Sequence, residues 1–243
     1  MSFLFDTRIE RESMRKRPPL SNAGTQQWRD LLFMHWEIPI SLAEALLPKS
    51  LSLDLYDGKA WVGLVPFAME GVRPWWVPKW GAFTFLETNI RLYVHHKGEA
   101  GVYFLSLDAA SWLAVQAARI GWGLPYYYAS MKVQRSQNEF NYSIHRNPST
   151  TMNVQYTIHE ALLESKPDSV EFFFLERYLL FVEHNGHILR GQVYHTPYPV
   201  HRVSIHTLEE TMLHTHGILC PHPPNFVHAS PGVDVEVFPL TRS

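Results

Sequence analysis

Alternation of apolar and polar positions dominates the chain, with few stretches of helical period. Leu51, Leu53 and Leu55 alternate with Ser52 and Asp54, Asp57-Gly58 supplies turn residues, and residues 60–69 return, which predicts a hairpin. Residues 84–94 and 101–107 predict another, joined through His95-His96-Lys97-Gly98. Further strands are expected over 126–134, 139–145 and 151–159. Residues 179–183 and 188–194 flank Asn185-Gly186, a pair suited to a type I′ turn because both central positions need positive φ. Ser41 and Glu44 form a capping box that predicts a short helix ending by Pro48. A second helix is expected over 109–120, where Ala110, Ala114, Ala117, Ala118 and the following Gly121 offer small surfaces for close packing on a sheet. Residues 170–177 and 208–214 complete the predicted helices. Many antiparallel strands with isolated helices imply a mostly antiparallel, β-rich α+β fold. We expect an N-terminal arm over 1–25 and a single domain over 26–243.

Composition narrows the function classes. The 243 residues are 46% hydrophobic and 14% aromatic, so a large core and aromatic pocket walls are both affordable. A net charge of −2 gives no general attraction to nucleic acid. The single Cys220 forbids an internal disulfide and suits a reducing compartment. No stretch approaches the roughly 20 apolar residues of a membrane span, and the N-terminus lacks the apolar core and cleavage site of a secretory signal. A cytoplasmic protein without a membrane partner is expected. Arg11, Arg15, Lys16 and Arg17 read as a solvated arm that packs on a partner subunit, since polybasic tethers use roughly 4–8 cations beside a second signal.

Candidate chemistry sits in two places. On the strand at 84–94, Glu87, Asn89, Arg91 and Tyr93 share one face, and Thr88, Ile90, Leu92 and Val94 the other. The polar face is either the wet side of a sheet or the lining of an interior that orients a ligand. In the run Arg119-Ile120-Gly121-Trp122-Gly123-Leu124-Pro125-Tyr126-Tyr127-Tyr128, a helix ends, glycine stops it, and Pro125 opens a strand on which Tyr126 and Tyr127 point oppositely. Arg119 is either a bidentate clamp for a carboxylate or a structural partner of Glu87 or Asp108. Tyr126 is either a hydrogen-bond donor or packing. The loop from Trp75-Trp76 to Trp80 reads as an apolar lid. His214, His216, Cys220 and His222 are zinc-compatible ligand types, but their spacing fits no recognised motif, so no metal is expected. Nucleophile-elbow, phosphate-loop and dinucleotide signatures are missing, and no cofactor is expected.

Several stretches resemble the YqjF-like family of the acetoacetate decarboxylase-like superfamily. These are Leu32-Phe33-Met34-His35-Trp36, Asp57-Gly58-Lys59-Ala60-Trp61-Val62-Gly63, Glu87-Thr88-Asn89-Ile90-Arg91-Leu92-Tyr93 and His228-Ala229-Ser230-Pro231-Gly232. The resemblance implies a cone-like β-barrel around a small ligand pocket, with Glu87 where the superfamily has an active-site acid. It also places Tyr126 and Tyr127 where the decarboxylases carry adjacent lysines. A phenol forms no imine, so Schiff-base decarboxylation is not expected. The implied function is binding of a small molecule, a carboxylate among the candidates, by Glu87, Asn89, Arg91, Arg119 and Tyr126. The alternative is an enzyme acting on a small keto or enol carboxylate with Glu87 as acid or base. Analogy to the superfamily implies a homo-oligomer.

Overall fold

A computed structural model describes residues 9–243, with side-chain surroundings for all of these except 117, 118 and 120–122. Along the chain run β1 (Gly24–Ile38), α1 (Ile40–Ala45), β2 (Ser52–Leu53), β3 (Ala60–Pro74), β4 (Phe83–His96) and β5 (Glu99–Ala109). Then come α2 (Trp112–Trp122), β6 (Tyr126–Tyr128), β7 (Ser130–Ser136), β8 (Glu139–Asn147) and β9 (Thr150–Ala161). The remainder is α3 (Val170–Leu175), β10 (Leu179–His184), β11 (His187–Tyr194), β12 (His201–Glu210), β13 (Phe226–Val237) and β14 (Thr241–Arg242).

Strands β11, β10, β5, β4, β3, β1 and β13 lie side by side in that order, and β13 returns to β11 through Val193 opposite Val237. The sheet therefore closes into a ring, which removes the free edges of these strands. Beyond β13 it continues through β12, β9, β8 and β7. This extension packs against the ring's outer wall, where Leu32, Met34, Leu64, Ile90 and Leu92 meet Phe140, Ile144, Met152 and Val154. Inside the ring, Phe33, Val65, Phe67, Leu107, Val233 and Val235 surround Phe173 and Phe174 of α3. Each such fully buried side chain contributes about 1.5–3 kcal/mol. The central strands are thus covered on both faces.

Both-sided burial explains which strands escape a reading by alternation. In β1 the run Leu31-Leu32-Phe33-Met34-His35-Trp36 is buried throughout, so no period of two marks it. The hairpins at 97–98 and 185–186 form with positive φ at Lys97, Gly98, Asn185 and Gly186.

Four local expectations are corrected. Asp57 and Gly58 do turn the chain, but Ser52 and Leu53 pair with His95 and Val94 of β4 instead of folding back on β3, both of whose edges are taken by β1 and β4. Helix α1 starts at Ile40 behind Pro39, without a side-chain cap, so Ser41 lies inside it; the Pro39 carbonyl accepts from the Leu42 and Ala43 amides and so opens the helix early. Residues 201–210 form β12 along β9, and only Leu213–His216 makes a 3-10 turn. A register irregularity between Ile205 and Thr207 hides their alternation. The strand expected over 126–134 breaks at Ala129, with β6 alongside β5 and β7 alongside β8.

Within the arm, residues 1–8 lie outside the described residues. The rest lies on the body of its own chain, with Arg11 bonded to Asp54 and Arg17 to Glu236.

Closure of the ring needs β13 to pass tightly over β1. Gly232 has φ +128°, and a Cβ there would sit 2.0 Å from the Trp28 carbonyl oxygen. Gly232→Ala should cost more than about 2 kcal/mol in denaturant unfolding, whereas Gly58→Ala, also at positive φ but in open space, should cost about 1 kcal/mol. Equal losses would mean that this contact does not constrain the fold.

Candidate functional site

Glu87, Asn89, Arg91 and Tyr93 all face the ring interior, because Thr88, Ile90, Leu92 and Val94 are claimed by the outer layer. A register shift in β5 falls between Ile90 and Arg91 and leaves the alternation of β4 intact. All four polar side chains are buried, so this face is not the wet side of a sheet.

Glu87 is 3% exposed, and its Oε2 accepts a 2.8 Å hydrogen bond from the Tyr126 hydroxyl. The tyrosine reaches it through the chain's local chemistry. Helix α2 stops at Gly123 in the left-handed region (φ 63°), and Pro125 leads into β6, which places Tyr126 beside Leu107 of β5. Burial pushes the Glu87 carboxyl up to about 8; the Tyr126 hydrogen bond opposes this and the nearby Asp108 adds to it. At neutral pH the carboxyl holds its proton. From β8, the Tyr142 hydroxyl donates to the Glu87 carbonyl at 3.1 Å and anchors that point of the strand.

Tyr127 takes the opposite side, with the Arg146 guanidinium 4.3 Å from its ring centroid and that of Arg119 at 5.7 Å. Arg146 is itself bonded to Asp108 through Nε at 2.6 Å and Nη2 at 2.5 Å. Arg119 is exposed, and its Nε donates to the Tyr126 carbonyl at 2.7 Å. These contacts fasten the end of α2 to β6. Among the described residues Arg119 has no ion pair with Glu87 or Asp108, the two partners considered from sequence.

Arg91 marks a second polar group deeper along β4. It is 8% exposed, and its Nη2 donates to the Phe174 carbonyl at 2.9 Å and its Nε to the Tyr93 hydroxyl oxygen at 3.3 Å. His35 Nε2 lies 2.6 Å from the same hydroxyl, and the imidazole stacks on Phe174 at 4.0 Å. Burial, with Arg91, His228 and Arg177 adding to it, holds His35 well below its ordinary value. Arg177 and Arg11 share the one carboxylate of Asp54. Among the described residues Arg91 itself has no carboxylate within ion-pair distance. Asn89 Oδ1, His35 Nδ1, Arg177 Nη2 and His228 Nδ1 are buried without hydrogen-bond partners. The four-residue step from Glu87 to Arg91 spans ~13 Å of strand; Arg91 bonds toward Tyr93, so the two groups do not meet. His35 and Arg177 were invisible as site candidates, since nothing local distinguishes a lone histidine in an apolar run.

The remaining candidates are engaged elsewhere. His216 Nε2 lies 3.4 Å from Ser106 Oγ, and burial pushes it down to about 4. His222 Nδ1 lies against the Pro223 carbonyl, and burial pushes the Cys220 thiol up to about 11. Among the described residues, no three His, Cys, Asp or Glu side chains converge as metal ligands. The tryptophans of the loop between β3 and β4 stand out into solvent.

The raised Glu87 carboxyl has a consequence for stability. The folded chain keeps a proton that the unfolded chain releases above the ordinary value of 4.5, so this contribution is complete below that value and is lost as pH rises toward about 8. Glu87→Gln lacks the titration. Its stability relative to the parent should rise between about pH 5 and 8, with a slope approaching about 1.4 kcal/mol per pH unit. Parallel stability curves would remove the raised carboxyl.

Comparisons with known proteins agree with this fold. Among solved structures, the chain superimposes on the enduracididine biosynthesis enzyme MppR complexed with pyruvate, with TM-score 0.65, 11% identity and 93% of each chain covered. It is similar to an acetoacetate decarboxylase-like enzyme from Sphingomonas wittichii RW1, with TM-score 0.64 and 12% identity over 92% of this chain and 94% of that one. For the acetoacetate decarboxylase of Legionella pneumophila the TM-score is 0.60, with 14% identity over 96% and 93% of the two chains. At these identities the likeness establishes an acetoacetate decarboxylase-like fold. In sequence, the chain is 33% identical over 220 residues to the uncharacterised protein YqjF of Bacillus subtilis strain 168, covering 89% of this chain and 91% of that protein. Residues 25–234 match the family of uncharacterised conserved proteins DUF2071, and the chain belongs to that family.

Proposed function

We propose that the ring interior binds a small organic carboxylate. One observation carries this reading: Arg91 is a buried guanidinium with no carboxylate partner among the described residues, while the acid on its own strand face, Glu87, is protonated at neutral pH. A guanidinium cannot shed its proton, and an unpaired charge in an apolar interior is costly. An anion drawn from solution offsets that cost. Asn89, between the two groups, offers its amide NH2 as a further donor, and the protonated Glu87, which already accepts from Tyr126, offers a neutral one. MppR, of the same fold, holds pyruvate, a small keto acid. Arg119 takes a positioning role at the rim. Tyr126 and Tyr127 stand in for the lysine pair, so the ligand is held without an imine. We place the protein in the cytoplasm, and homo-oligomerisation is carried over from the superfamily alone.

A second reading, an enzyme, is favoured by the Glu87 carboxyl near 8. A proton held there and released near neutrality suits general acid–base work on the carbon beside a ketone.

Titration with pyruvate and longer keto acids, followed by NMR, tests both readings. Binding should weaken at least about tenfold in Arg91→Met, the scale of a lost charge-assisted contact, and persist in Arg119→Ala. Borohydride should add no mass to the protein in the presence of the keto acid. Unchanged affinity in Arg91→Met would refute the anion site. Loss of solvent-deuterium incorporation into a bound keto acid in Glu87→Gln, with binding retained, would make the protein an enzyme.

A further inference from the structure

The end of the ring nearest Glu87 carries an exposed aromatic rim. Trp75, Trp76 and Trp80, on the loop between β3 and β4, are 69%, 66% and 89% exposed. Phe83 at the start of β4, and Trp112 and Leu113 at the start of α2, are exposed as well. The segments adjoin: Val72 pairs with Phe83, and the Ala110 amide bonds to the Leu86 carbonyl at 2.9 Å, bringing the entry to α2 beside the first residues of β4. Pro74 and Pro78 stiffen the loop, and Arg73 Nη1 fastens it to the Val77 carbonyl at 3.0 Å. Exposed apolar groups gathered in this way mark interaction sites.

Charge selects the partner. From Gly71 to Leu86 the chain has two cations, Arg73 and Lys79, and no acid, and Glu70 directly before it is half-buried on β3. The acids that follow are withdrawn: Glu87 is buried, and Asp108 is held by Arg146. On β13, Glu236 is taken by Arg17 and Asn22. Two copies of the rim meeting face to face would set these cations against each other, which disfavours self-association. Indole rings beside cations match the boundary of an anionic bilayer, where the ring sits at headgroup level and the cation meets lipid phosphate.

We infer that this rim docks the protein on an anionic lipid surface, with the Glu87 end of the ring facing the bilayer. The attachment inferred is peripheral; no helix among the described residues is long and apolar enough to cross a membrane. The sequence predicts no membrane partner, having no apolar span and too short a basic run for a tether; the rim comes together only when three segments meet in the fold.

Flotation of the full chain with vesicles of equimolar phosphatidylcholine and phosphatidylglycerol, and with phosphatidylcholine alone, tests the inference. Binding to the mixed vesicles is expected at low salt, with weaker binding to the neutral ones and at high salt. Trp75→Ser/Trp76→Ser/Trp80→Ser should lower binding about tenfold or more, and Lys79→Glu by about fivefold or more. Since all four side chains lie at the surface, the variants should melt like the parent. Absence of binding to mixed vesicles, or equal binding by the triple variant, overturns the inference. So does a native mass showing pairs of the parent chain that the triple variant cannot form, which would assign the rim to a second copy.

Discussion

Everything at the site follows from closing the sheet on itself. Pairing of β13 with β11 gives the central strands an inside as well as an outside, and neither side meets bulk water. A strand in that position is ordinarily apolar on both faces. Strand β4 keeps its outer face apolar and carries carboxyl, amide, guanidinium and phenol on its inner one. Once enclosed, these groups must share protons, find partners or wait for a ligand.

They solve the problem differently. Glu87 keeps its proton and takes one hydrogen bond from Tyr126. Asp108, one residue from Ala109 on the neighbouring strand, faces outward and is neutralised by Arg146. Asp54 is neutralised twice over, by Arg11 and Arg177. Among the described residues, the oxygens that Arg91 meets are the neutral ones of Tyr93 and Phe174. On the inner face of β4 the guanidinium is thus left without a counter-charge among the described residues. The carboxylate site proposed above would supply that counter-charge.

The two adjacent tyrosines show how the backbone divides labour. One step of strand sends Tyr126 to the buried carboxyl and Tyr127 to the cations of the outer layer. Arg119 binds the carbonyl of the first and covers the ring of the second, so it holds the junction of helix and strand in register. An arginine that the linear motif offers as either a ligand clamp or a structural partner thereby holds that junction.

By itself the sequence determined the family, the predominance of antiparallel strands, the hairpins at Lys97-Gly98 and Asn185-Gly186, and the shared face of Glu87, Asn89, Arg91 and Tyr93. Those features rest on nearest-neighbour chemistry: turn residues that tolerate positive φ, and a side-chain period of two. Only the tertiary structure decided that the polar face looks inward, that His35 and Arg177 join Arg91, that Arg119 remains at the surface, and that the loop tryptophans stand in solvent. Each depends on contacts between segments far apart in the chain. His35 is 58 residues from Tyr93, and Asp54 is 123 from Arg177. Local pattern specifies which side of a strand a residue takes; closure of the ring specifies what lies on that side.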